Sequence, residues 1–92
     1  MNNYYVINKN NFEMQVIDKE AIFQNKSNGT VHFLNEAAFI IYEMICKGNS
    51  MENIVKEFAE KFPDVDAKLI EADCKTTIED FIKNDIISIE AE

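Results

Sequence analysis

Ninety-two residues, 47% of them hydrophobic, with only two glycines and one proline, suit one domain spanning 1–92 and leave no room for a flexible linker. Nine basic against seventeen acidic residues give a net charge of −8, which argues against nucleic acid and against an anionic membrane surface as partners, since both need clustered lysine and arginine. No apolar run nears the ~20 residues of a membrane span and the opening MNNYYVINKNN lacks a signal peptide's apolar core, so the expected compartment is the cytoplasm.

The first third of the chain reads as strands. Tyr4-Tyr5-Val6-Ile7 is a short β-prone run, and Glu13-Met14-Gln15-Val16-Ile17 alternates imperfectly before Asp18-Lys19. Ala21-Ile22-Phe23-Gln24 and Thr30-Val31-His32-Phe33-Leu34 flank a turn segment that ends in Asn28-Gly29. That pair supplies the positive φ a hairpin turn requires, so these two runs are expected to pair antiparallel.

Three helices follow. Asn35 is a good N-cap for a first helix reaching about Cys46, with Gly48 placed as its C-terminal glycine. Ser50 caps a second helix whose stripe is Met51, Ile54, Val55, Phe58, Ala59 and Phe62, and Pro63 stops it. Asp66 caps a third helix to about Asn84, with the stripe Ile70, Cys74, Thr77, Ile78 and Phe81. Asn84-Asp85 turns the chain into Ile86-Ile87-Ser88-Ile89, a candidate final strand. The fold class this predicts is α+β: a small N-terminal antiparallel β-sheet followed by a three-helix bundle, the outline of a winged helix-turn-helix domain. In a nucleic-acid-binding version the third helix would enter the major groove. Here that helix sets Lys68, Lys75 and Lys83 against Glu71, Asp73, Glu79 and Asp80, and phosphates would be repelled.

The inventory for chemistry is thin. One histidine and two separated cysteines, Cys46 and Cys74, offer no zinc-ligand spacing, and the cysteines are expected as small buried groups rather than a disulfide. A nucleophile–base set would have to use His32, whose apolar strand-like setting points to a structural role. Phosphate-binding glycine loops and nucleophile-elbow motifs do not occur. The carboxylate pairs Asp64/Asp66 and Glu79/Asp80 are expected on a solvated face. Catalytic residues, a metal and a cofactor are therefore not expected.

Glu36, Glu43 and Lys47 mark the solvent stripe of the first helix, which leaves Phe39 and Ile40 poorly placed for the core. If Leu34 points inward, His32 shares its face, and Val31 and Phe33 point outward. Val31, Phe33, Phe39 and Ile40 then form a candidate exposed apolar patch, unless the chain before Ala21 folds back over them while burying Tyr4, Tyr5 and Phe12. An edge strand also offers unpaired backbone groups to an extended peptide. A small acidic domain with such an edge and no catalytic set reads as a peptide-binding module.

Leu34-Asn35-Glu36-Ala37-Ala38, then Ile40-Ile41-Tyr42-Glu43-Met44-Ile45 and Gly48, resembles the PqqD-like family. Ile54-Val55 through Phe58 to Phe62-Pro63 fits the same pattern, as does Phe81-Ile82 followed by Ile86-Ile87. The likeness covers about residues 20 to 89. The turn Cys46-Lys47-Gly48 looks one residue longer than usual, and Ala37 stands where threonine or serine is common. The resemblance implies a stand-alone recognition element that binds the leader of a ribosomally made precursor peptide. It would present that peptide to a separate modifying enzyme, such as a radical SAM enzyme or a leader peptidase. It also implies that the leader adds as a strand beside the family's third strand, here Thr30, Val31, His32, Phe33 and Leu34. The peptide would lie against the third helix over roughly Leu69 to Ile78: Leu69, Ile70, Asp73, Cys74, Thr77 and Ile78. An acidic winged-helix regulator and an assembly domain without a peptide ligand remain alternatives, and either a monomer or a homodimer is compatible with a free edge.

Overall fold

The computed structural model describes residues 3–91, with the side chains of 5–90. Its elements run β1 (Asn3–Ile7), a 3-10 turn (Lys9–Asn11), β2 (Phe12–Ile17), β3 (Glu20–Asn25), β4 (Val31–Leu34), α1 (Glu36–Cys46), α2 (Met51–Lys61), α3 (Ala67–Lys83) and β5 (Ile87–Ala91). The α+β class holds, and the outline is compatible with a winged helix-turn-helix domain.

The strands form two sheets. β2, β3 and β4 make an antiparallel meander in that order, so β2 and β4 are its edges. β1 pairs instead with β5, antiparallel, in the register Asn3 with Ala91 through Ile7 with Ile87. The first β-prone run thus closes against the last strand. Asn8 reinforces this closure: its N–H donates to the Ile86 carbonyl at 3.1 Å and its Nδ2 to the Asp85 carbonyl at 2.7 Å.

The β3–β4 turn is not built on Asn28 and Gly29 together, because only Gly29 (φ 74°) takes a left-handed conformation there. The organiser is Asn25, a buried amide whose Oδ1 accepts from the Ser27 N–H at 2.8 Å and the Asn28 N–H at 3.3 Å. Its backbone N–H donates to the Thr30 carbonyl at 2.8 Å and so starts the β4 ladder. At the β2–β3 turn Asp18 takes the left-handed role (φ 57°).

Each helix starts on the residue the sequence indicates. The Asn35 side chain accepts from the Ala38 N–H, Ser50 from Asn53 and Asp66 from Lys68. α1 and α3 end alike. Gly48 (φ 89°) donates to the Ile45 carbonyl and Asn49 to that of Met44, while Asp85 (φ 62°) donates to Ile82 and Ile86 to Phe81. Both are Schellman closures, in which one left-handed residue reverses the chain and returns donors to the last helical carbonyls.

The core gathers Phe12, Phe23, Tyr42 and Phe81 around the packed aliphatics of α1, α2, α3 and β5. Tyr42 meets Phe23 edge-on at 4.7 Å between centroids and Phe81 at 6.3 Å. Three expectations are corrected here. Phe39 is buried (9% exposed) and stacks on Tyr42 at 6.4 Å, while Ile40 is half-buried against the core. The reason is that α1 packs against β1, β3, β4 and α3, so it is enclosed on several sides. Cys46 is exposed and only Cys74 is buried, both as free thiols. Phe62, assigned to the α2 stripe, is exposed beyond the helix end with its ring stacked on Phe58 at 6.0 Å. Tyr5 is half-buried and Phe12 buried as expected, whereas the Tyr4 side chain lies outside those described.

Candidate functional site

The free edge of β4 is the natural starting point. Backbone groups of an antiparallel strand point alternately to one neighbour and to the other. Because Thr30 engages Asn25, the N–H and C=O of His32 and Leu34 turn toward β3, and those of Val31 and Phe33 turn outward. Their side chains follow a second alternation. Leu34 and His32 lie opposite Ala21 and Phe23 on the inner face, with Leu34 buried and the His32 ring 6.1 Å from that of Phe12. Val31 and Phe33 lie opposite Gln24 and Ile22 on the outer face and are 60% and 64% exposed. Among the described residues, the chain before Ala21 leaves them exposed.

Beside that edge runs an open groove of about 480 Å³. One wall is Val31, His32, Phe33 and Leu34, continued by Asn35 and Ala38 at the start of α1. The other wall is Thr77, Asp80, Phe81 and Asn84, which are spaced i, i+3, i+4, i+7 and so share one face of α3. Ile86 completes the lining. Leu34, Phe81 and Ile86 are buried and form the apolar base, while Val31, Phe33 and Asp80 are exposed and form the rim. The α3 closure sets this base, since the Ile86 N–H donates to the Phe81 carbonyl at 2.9 Å and brings the two side chains together.

Of the residues expected at the site, Val31, His32, Phe33, Leu34 and Thr77 line this groove. Ile70, Cys74 and Ile78 are core residues, Leu69 and Asp73 are exposed on the earlier turns of α3, and Thr30 is exposed just before β4. The groove wall therefore lies on the C-terminal half of α3. Sequence reasoning left out Asn35, Ala38, Asp80, Asn84 and Ile86 as groove residues. Extending the helical spacing forward from Thr77 would have found Asp80 and Asn84. Thr77 is half-buried, as its position between core and rim requires.

A smaller cavity of about 250 Å³ lies between the β1–β2 connection and the core, lined by Asn8, Lys9, Phe12, Met14, Phe23, Tyr42 and Ile86. Burial, then the neighbouring Cys46 thiol, pushes the Tyr42 phenol well above its ordinary value. Burial, then Asp73, raises the Cys74 thiol. Both groups thus keep their protons at neutral pH and are poor nucleophiles. Among the described residues no three histidine, cysteine or carboxylate side chains converge to hold a metal ion, and no helix is long and apolar enough to cross a membrane.

Residues 17–87 match the sequence profile of a family described as coenzyme PQQ synthesis protein D, PqqD. Two solved structures share the fold. One is TbiB1 in complex with the TbiA(beta) leader peptide, 20% identical, with a TM-score of 0.77 over 89% of this chain and 94% of that one. Another is lasso peptide synthetase B1 complexed with the leader peptide, 16% identical, with a TM-score of 0.76 over 90% and 95% of the two chains. No curated protein sequence matches the chain.

Proposed function

The chain belongs to the PqqD family, and from that premise we propose that it is a recognition element for the leader of a ribosomally made precursor peptide. The leader adds as a strand along β4, and the domain presents the peptide to a separate modifying enzyme, either a radical SAM enzyme or a leader peptidase. The observation that carries this reading is the unpaired β4 edge standing over an apolar groove against α3. Main-chain bonds to Val31 and Phe33 supply affinity without demanding a sequence, and side chains of the added strand that turn inward reach Leu34, Phe81 and Ile86. That two fold neighbours are leader-peptide complexes supports the same reading.

The chain itself supplies binding, and the covalent chemistry belongs to its partner in the cytoplasm. Asp73, Glu79 and Asp80, exposed on α3, disfavour the DNA-binding alternative.

The test is calorimetric titration with leader segments of precursor peptides encoded beside this gene. Val31→Pro and Phe33→Pro each remove an outward N–H that the strand does not use internally, so the variants stay folded and lose binding. Thr77→Glu places bulk and charge in the groove wall and weakens binding about tenfold or more, about 1.4 kcal/mol. Circular dichroism verifies folding. Folded variants that bind like the wild type would place the peptide elsewhere.

A further inference from the structure

We infer that the peptide this groove selects carries a lysine or arginine that meets Asp80. This inference rests on the reading of the groove as a leader-binding site and adds the chemistry of the leader. The lining contains one carboxylate, Asp80, and no lysine or arginine. The three lysines of α3, Lys68, Lys75 and Lys83, are not part of it. Asp80 makes no ion pair among the described residues, not even with Lys83 one helical turn away. Its groove neighbours are Thr77 and Phe81 on α3 and Asn84 at the helix C-cap, two neutral polar side chains and a buried ring.

In the free protein water solvates this carboxylate. A strand laid between β4 and α3 displaces part of that water, and neither wall offers a lysine or arginine in exchange. Removing a charge from water without a partner is costly, so the incoming peptide must bring the partner itself. A basic side chain there forms a charge-assisted pair in a partly dry setting. An acidic side chain at the same place meets a like charge over an apolar base and is rejected, which is how specificity arises from repulsion as well as attraction. The net charge of −8 acts in the same direction by drawing cationic peptides toward the molecule. Because only Val31 and Phe33 turn their backbone groups outward, the paired stretch is short, and the basic residue has a fixed place relative to it.

A library of short random peptides displayed on phage and selected on the whole protein tests this without knowing the natural leader. Parallel selections use Asp80→Asn, Asp80→Lys and Phe33→Pro. The expected result is enrichment of peptides with an apolar residue and, at a constant offset, a lysine or arginine. That basic preference disappears on Asp80→Asn and turns acidic on Asp80→Lys. Exchanging the basic residue of a selected peptide for glutamate weakens wild-type binding about tenfold, and Asp80→Lys restores it. Enrichment that depends on Phe33 but shows no basic preference, or the same preference on Asp80→Asn, overturns the inference and leaves leader binding at β4 standing. Peptides selected equally well by Phe33→Pro, or no enrichment at all, overturn that underlying reading and the inference with it.

Discussion

Asn35 joins the site to the fold through a single amide. Its side-chain oxygen accepts from the Ala38 N–H at 2.9 Å and starts α1, while the same residue lines the groove where β4 ends. Asn35→Ala leaves one of the first-turn donors without a protein partner, and we expect a loss of about 1 kcal/mol in urea denaturation with an unchanged slope. Capping is legible in a sequence because it involves residues three apart. Phe81 is legible for a similar reason, since its place in the α3 stripe follows from periodicity alone. Asp80 is not. As part of the Glu79-Asp80 pair it reads as one more solvated carboxylate, and its setting depends on β4, which arrives from the other end of the chain. The outward placement of Val31 and Phe33 follows from alternation once Leu34 is known to face inward.

At the scale of elements, local signals located the helices and strands, and the details of packing required the assembled structure. The second and third helices start at Ser50 and Asp66 as their caps dictate, and Pro63 ends the second. A helical wheel misplaces Phe39 because it assumes one buried face, whereas α1 is enclosed by strands and a helix together. The turn after α1 is a place where one residue carries an element boundary. Gly48 holds φ 89° and, its chain neighbours aside, nothing lies within 4 Å of the position a Cβ would take, so a substitution there meets open space and only a backbone penalty. Gly48→Ala is therefore expected to cost about 1 kcal/mol in thermal or chemical denaturation, and Gly48→Asn less, because asparagine tolerates the left-handed region. A loss of several kcal/mol would mean that the turn is held by contacts the backbone geometry does not reveal.

For the whole molecule, the buried and half-buried ionisable groups of the core set a limit on the alkaline side. Tyr42 and Tyr5 are raised above their ordinary value of 10.0 and Cys74 above 9.0, with burial the first cause for each. A folded state that holds protons more tightly than the unfolded chain is favoured fully below the unfolded values. That advantage is lost as pH climbs toward the folded ones, since the unfolded state then binds fewer protons. The thermal midpoint should stay level through neutral pH and fall from about pH 9 upward. Tyr42→Phe should flatten the fall, and an unchanged slope in that variant would remove Tyr42 from the account. The pairing of β1 with β5 belongs to this scale too. Each strand was visible as a β-prone run, but no local signal says that the first strand should meet the last.

That pairing sets where the polypeptide enters and leaves the domain. Asn3 lies across from Ala91, so both ends of the described chain emerge side by side, while the β4 edge belongs to the other sheet. A unit with adjacent ends behaves as a cassette. It can be spliced into a surface loop of an unrelated enzyme without stretching the host, or be closed by a short linker and reopened at another turn. Either graft leaves the β4 backbone in the same relation to α3. The proposed peptide-binding edge is thereby separable from the covalent context in which the chain is placed.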